Sequence, residues 1–213
     1  MSPRLWIVAS AATAARWAAA LADGDAGAEV LAWSETACIE AAEPLREARA
    51  GGAFDLLLLT SPRALCCLPP GVPRALPVAC VGRATARAAR EAGLEPRWIG
   101  AGTGADLARS LAAERPGARV LFLRGRDARR EAVLRLQAAG STVVEVVVYE
   151  ARPRAAFAAE VARAPEPPAL VVGRPRGAEA LAVALDAAGG SRFWHCEGPP
   201  CRGEFRLVAL PTA

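Results

Sequence analysis

The chain alternates short apolar runs with alanine-rich helical stretches almost from end to end. No other feature narrows its choice of fold as much. A strand, a helix and a second strand in succession imply a crossover, and regular repetition of that unit gives parallel sheets with right-handed connections. The pattern predicts strands at 5–9, 29–33, 55–60, 77–81, 97–99, 119–123, 142–149, 169–172 and 206–210. It predicts helices at 11–21, 42–50, 84–92, 104–113, 128–139, 155–164 and 178–188. Most strand candidates are continuous apolar runs, such as Leu56-Leu57-Leu58-Leu59, and not alternating ones. A strand of that kind is buried on both faces, so helices are expected on both sides of the sheet. Gly93, Gly140 and Gly189 follow helical stretches, where a left-handed closing residue belongs. Thr103 precedes a helix with Asp106 in its first turn, as the helix dipole prefers.

Two places read as linkers: 33–38, after the second strand, and 149–154, where a long strand meets Pro153. Between them the alternation is self-contained. The expected architecture is therefore two parallel-sheet α/β domains with helices on both faces. Residues 1–34 and 152–213 form a discontinuous, C-terminally shortened domain, and residues 35–151 form a domain inserted in it. A faint internal echo supports two related halves: the run at Leu56–Leu65 resembles that at 170–178.

The segment from Phe54 to Thr85 carries the clearest local chemistry. A buried strand runs into Thr60-Ser61-Pro62-Arg63 at a helix start, and a second runs into Gly82-Arg83-Ala84-Thr85 at another. Small hydroxyl residues and free helix-terminal N–H groups would meet at one sheet edge, which suits carboxylates without a metal or a strong base.

Composition excludes several alternatives. All 26 basic residues are arginine, and the net charge is +4, a mild preference for anionic partners. No basic stripe interleaved with aromatics and no zinc-finger spacing points to nucleic acid. No apolar run reaches membrane-spanning length. The start, Leu5 to Val8, resembles a secretory signal only faintly and reads better as a first strand. Of the six cysteines, four (Cys38, Cys66, Cys67 and Cys80) lie in apolar or alanine-rich surroundings, where cysteine acts as a small hydrophobe; a reduced, cytoplasmic protein is the expectation. His195-Cys196 with Cys201 lacks a fourth ligand at metal spacing. The loop Gly100-Ala101-Gly102-Thr103-Gly104 lacks the lysine and the spacing of a phosphate loop.

Four stretches together carry a family resemblance: 55–65, 78–93, 120–149 and 170–181. The third is the most specific, with Arg124-Gly125 after a strand, Arg130-Glu131 on a helix, Ala139-Gly140, and a long strand reaching Tyr149. In order and spacing the chain resembles uroporphyrinogen-III synthase. That resemblance implies two α/β domains joined by a two-stranded connection, with the active site in a cleft between them. It implies hydroxymethylbilane, a linear tetrapyrrole with eight carboxylates, as substrate. Water is eliminated and the macrocycle closes with inversion of the last pyrrole ring, ring D, without cofactor or metal. A monomer with no nucleic-acid or membrane partner is expected.

The resemblance also assigns residues. Thr60, Ser61, Gly82 and Thr85 are expected to hold substrate carboxylates; the plainer reading is helix capping at two strand-to-helix turns. Tyr149, the one tyrosine, is expected to assist departure of the hydroxyl by hydrogen bonding, or else to pack as a strand-end aromatic with a wet hydroxyl. Arg124 and Arg126 form an expected cationic rim together with Arg129 and Arg130, against the alternative of a solvated arginine-rich face. Where the family has a serine-containing turn after the strand at 169–172, this chain has Gly173-Arg174-Pro175-Arg176, and Arg174 is expected to replace a hydroxyl as a carboxylate ligand. One rival is a non-catalytic homologue that binds a tetrapyrrole or a protein partner. Another is an unrelated anion-binding α/β protein, against which the stretch 120–149 argues.

Overall fold

The four leucines of Leu56–Leu59 are completely buried, and they divide between two separate cores. Leu57 and Leu59 face one side of the sheet, Leu56 and Leu58 the other. That division is what a continuous apolar strand demands, because successive side chains point to opposite faces.

The computed structural model describes residues 5–11, 14–15, 28–163, 169–172 and 206–209. The strands are β1 Leu5–Ser10, β2 Ala28–Cys38, β3 Leu56–Leu59, β4 Val78–Cys80, β5 Pro96–Ile99, β6 Arg119–Gly125, β7 Thr142–Pro153, β8 Ala169–Val172 and β9 Arg206–Ala209. The helices are α1 Ala42–Ala50, α2 Arg63–Cys66, α3 Arg83–Glu91, α4 Gly104–Glu114, α5 Glu131–Ala138 and α6 Phe157–Arg163. The fold is mixed α/β with a mostly parallel sheet. The chain divides into two compact units, Ala37–Ala151 and the combination of Met1–Thr36 with Arg152–Ala213.

In the unit Ala37–Ala151 the strand order is β5-β4-β3-β6-β7, every neighbour parallel. On one face Leu57, Leu59, Leu121 and Leu123 pack with Leu45 of α1 and with Ala86 and Ala89 of α3. On the other, Leu56, Leu58, Val120 and Phe122 pack with Leu107 and Leu111 of α4 and Val133 and Leu136 of α5. Each such buried side chain contributes roughly 1.5–3 kcal/mol of transfer free energy, which is why the sheet carries the stability of this unit. Gly93 and Gly140 adopt φ of 74° and 85° and close α3 and α5. Gly189, the predicted helices at 11–21 and 178–188, and the turn at 173–176 lie wholly or mostly outside the described residues.

In the other unit, β1 pairs in parallel with β2 and with β8, and β9 lies antiparallel on β8, matching Ala169 with Ala209. The purely parallel expectation is corrected at that last strand. Arg154 fastens α6: it donates to Ala32 O at 2.8 Å and to Glu160 at 2.8 and 3.1 Å.

The two expected linkers are strands. β2 runs to Cys38, five residues past its apolar run, and β7 runs to Pro153, four past Tyr149. Backbone bonds carry these extensions: Ile39 N donates to Val148 O at 2.9 Å, and Arg154 N to Trp33 O at 3.0 Å. Hydropathy reports burial of apolar side chains, and these ends hold the buried but polar Ser34 and otherwise partly or fully exposed residues, so the pattern stops before the strand does.

Cys38 and Cys67 form a disulfide, which corrects the all-reduced expectation; Cys66 and Cys80 are free thiols. Among the described residues no helix is long and apolar enough to cross a membrane.

Candidate functional site

β3 stands where the sheet changes direction. From β3 the chain proceeds outward through β4 to β5, and then β6 and β7 are laid on its opposite side. Connections therefore leave β3 and β6 toward opposite edges, and ligands of open α/β sheets bind at such a reversal of strand order. The expected site residues fall at this edge. Leu59 is in register with Leu123 and with Cys80, so the turns after β3, β4 and β6 lie side by side.

Thr60 and Ser61 follow β3 and are both partly exposed. Ser61 Oγ accepts a hydrogen bond from the Arg63 amide at 3.3 Å, and Ser61 O accepts from Ala64 N at 3.3 Å. The plainer capping reading thus holds for Ser61 in part: its hydroxyl shapes the entry to α2 while its other lone pair and its proton stay available. Val81 N donates to Leu59 O at 3.0 Å, which ties the second turn to the first.

Gly82 is the N-cap of α3 in extended conformation, φ −169° and ψ 177°, and no side chain caps this helix. Thr85 is 2% exposed. Its side chain is enclosed in the first turn of α3, so this turn reaches the surface through Gly82, Arg83 and Ala84 and not through the threonine hydroxyl.

Tyr149 lies opposite Gly125 in the β6–β7 register. Its ring occupies the space a β-carbon on Gly125 would need: such an atom would sit 2.6 Å from Cζ and 2.9 Å from the phenol oxygen. Tyr149 is 9% exposed and belongs to the core, and the Arg63 guanidinium lies over its ring, 5.6 Å from the centroid. Tyr149 does not close its strand as the sequence pattern suggests. It is nonetheless at the carboxyl edge, because its partner Gly125 is the last residue of β6.

The arginine rim turns out to be largely neutralised. Arg124 Nε lies 2.7 Å from Glu145 Oε2, an ionic contact not aligned as a hydrogen bond, and Arg124 Nη1 donates to the carbonyls of Gly125 and Arg126. Arg130 grips the same carboxylate, donating from Nη2 at 2.7 Å and Nε at 3.1 Å. Arg126 pairs with Glu150 at 2.7 Å while its amide donates to Tyr149 O. Arg124, expected at the substrate rim, is thus ion-paired within the unit and donates from Nη1 to two backbone carbonyls. Glu145, which interrupts the apolar run of β7, is there to hold Arg124 and Arg130 together. Arg129 is exposed. Arg174 lies outside the described residues.

The glycine loop before α4 is a packing device. Gly102 N donates to Val81 O at 2.9 Å, and a β-carbon on Gly100 would meet Val81 O at 2.9 Å. Thr103 caps α4, accepting from Asp106 N at 3.2 Å. No group of three or more His, Cys, Asp or Glu able to hold a metal occurs among the described residues.

Sequence reasoning passed over Arg63. The available signal was its place two residues after Ser61, at the first position of α2.

The family model described as uroporphyrinogen-III synthase HemD matches residues 15–198. Among solved structures, the chain is similar to a mutant uroporphyrinogen III synthase from the extremely thermophilic bacterium Thermus thermophilus, with TM-score 0.55 and 20% identity over 86% of this chain and 77% of that one. It is similar also to uroporphyrinogen-III synthetase from Helicobacter pylori 26695, with TM-score 0.56 and 14% identity over 86% of this chain and 78% of that one. At such identities these two likenesses concern the fold. No curated protein matches the chain.

Proposed function

The chain belongs to the uroporphyrinogen-III synthase family, cyclising hydro-lyases of heme biosynthesis, and from that premise we propose how its own residues serve the reaction. The substrate in this reading is hydroxymethylbilane, closed to uroporphyrinogen III with loss of water and inversion of ring D. Loss of hydroxide from an electron-rich pyrrole is easy without strong acid. The protein's task is then to hold a flexible polyanion so that ring D attacks through its substituted carbon, which is catalysis by orientation.

Thr60 and Ser61 offer hydroxyls to substrate carboxylates at the end of β3. Gly82 lets the substrate approach the backbone at the start of α3, and Thr85 supports that turn from inside. Tyr149 hydrogen-bonds the departing hydroxyl. Arg126, exposed beside Glu150, adds positive potential at the rim. Exclusion of water from the azafulvene formed after departure would suppress closure to the wrong isomer. A two-domain layout with residues 35–151 inserted in the other domain, a monomeric state and a cytoplasmic location belong to the same reading. The family match does not favour the non-catalytic rival.

One observation carries the site assignment: the turns after β3, β4 and β6 and the Tyr149 ring share the carboxyl edge at the reversal of strand order. The test is to supply freshly made hydroxymethylbilane and resolve the uroporphyrin isomers. Isomer III should dominate with the native chain, and the Thr60→Val/Ser61→Ala double variant should lose at least tenfold in kcat/KM. Isomer I alone, at the spontaneous rate, would remove the reading.

A further inference from the structure

We propose that Arg63 binds a substrate carboxylate beside Tyr149; this rests on the synthase reading above. Three observations converge on it. Arg63 opens α2 directly after the Thr60-Ser61-Pro62 turn, at the carboxyl edge where the sheet reverses. Its guanidinium lies 5.6 Å from the centre of the Tyr149 ring, so whatever it holds sits next to the phenol.

The third observation is electrostatic. Arg83 and Arg129 at this edge are exposed, whereas three further arginines already have carboxylates: Arg124 and Arg130 share Glu145, and Arg126 has Glu150. To take a substrate carboxylate, each of these three would first have to give up or share a partner. Among the described residues no aspartate or glutamate pairs with Arg63. A guanidinium over an aromatic ring is held by the ring's quadrupole, through its face. Its in-plane N–H fork stays free, and that fork matches a carboxylate two-to-two. Arg63 is therefore a fixed, unneutralised cation with its donors open.

A flexible chain bearing eight carboxylates has many ways to lie in a shallow site. One bidentate anchor next to the phenol removes most of them, and it sets which pyrrole carbon meets the reactive centre. Arg63 thus serves binding and isomer choice more than bond breaking.

The experiment compares Arg63→Ala, Arg63→Gln and Arg63→Lys with the native chain on freshly made hydroxymethylbilane. Arg87→Ala is the control for loss of one charge, since Arg87 pairs with Glu91 on the exposed face of α3. Expected are a rise in KM of about tenfold or more for Arg63→Ala and Arg63→Gln, a smaller change in kcat, and leakage to isomer I. Arg63→Lys should recover part of the KM, and Arg87→Ala should match the native chain. Raising ionic strength should raise the native KM more steeply than that of Arg63→Gln. If Arg63→Ala does not fold, Arg63→Gln and the salt series carry the test. A KM within twofold of native in the folded Arg63 variants, with isomer III retained, overturns the proposal alone. A native chain that yields only isomer I overturns the synthase reading and the proposal together.

Discussion

Gly125 and Tyr149 face each other across β6 and β7, and the tyrosine ring fills the volume that any other residue's β-carbon would claim. The strand end and the phenol are thus one fitted pair. Gly125 is needed for space and not for its backbone angle, since its φ is not among the positive ones.

Gly125→Ala should consequently push Tyr149 out of place. A built β-carbon 2.6 Å from Cζ is overpacking, which costs about 1–3 kcal/mol. Thermal unfolding should register that loss, and isomer III formation should fall with it. Gly82→Ala supplies the contrast. Its backbone is extended and the nearest outside atom would be Gly102 Cα at an ordinary 3.7 Å, so no overpacking arises and only the N-cap preference for glycine over alanine, roughly 0.5–1 kcal/mol, is lost, without displacement of Tyr149. An unchanged unfolding midpoint in Gly125→Ala would contradict the fitted-pair account.

Tyr149→Phe separates the ring from the hydroxyl. The ring packs in the core beside Leu59, Leu123 and Val148, and phenylalanine preserves that volume. Unfolding should be little changed. If the phenol assists departure of the hydroxyl, kcat should fall by about tenfold to a hundredfold, the lower end of proton-transfer assistance, because the substrate is reactive by itself. Unchanged kcat would leave Tyr149 a packing residue only.

Much of this edge was readable in the amino acids, and the unread part has a physical cause. Leu56–Leu59 announces a strand buried on both faces through local composition, and Gly93 and Gly140 announce helix ends through local backbone need. α1 falls on the predicted residues 42–50, whereas α5 begins three residues late, because 128–130 form the approach to it. What the pattern hides depends on partners distant in sequence. Glu145 looks like an interruption until Arg124 and Arg130 are seen around it, and Arg124 looks like a free cation until Glu145 is. The outer parts of β2 and β7 are extended by backbone pairing, which leaves no trace in hydropathy. Thr85 has the spacing of a surface hydroxyl but faces inward, a matter of helix rotation that the motif does not specify.

At the start of α4 the capping is reciprocal. Thr103 Oγ1 accepts from the Asp106 amide and donates to Asp106 Oδ2 at 2.6 Å. That hydrogen bond, with Arg109 assisting, holds the Asp106 carboxyl below its ordinary value of 3.8. A carboxyl whose pKa is lower folded than unfolded stabilises the fold above the unfolded value and loses that contribution as pH falls through the folded one. Stability from this cap should therefore be constant near neutrality and decline only below about pH 4. Asp106→Asn should flatten part of the acid limb of a stability–pH curve and leave its neutral slope alone. A change of slope near pH 7 would contradict the assignment.

The cysteines make the sharpest chemical prediction. Cys66 is exposed and free, Cys80 is buried and free, and Cys38 is bonded to Cys67 across 29 residues. Burial pushes the Cys80 thiol up to about 11, against an opposing pull from Arg90, so it stays protonated and shielded at pH 8. Alkylation of the folded chain followed by peptide mapping should therefore mark Cys66 and spare Cys80, with Cys38 and Cys67 marked only after reduction. The bridge joins the end of β2 to the residue after α2, the helix that carries Arg63. Closing a loop of this length restricts the unfolded chain by about 3–4 kcal/mol, so reduction or Cys67→Ser should lower the unfolding midpoint accordingly. Because the turn at Thr60 and Ser61 lies between the two sulfurs in sequence, activity should decline before the unit unfolds as reductant is raised. Labelling of Cys38 and Cys67 in the untreated folded chain would show that the bridge does not form, and the expected loss of stability on reduction would vanish with it.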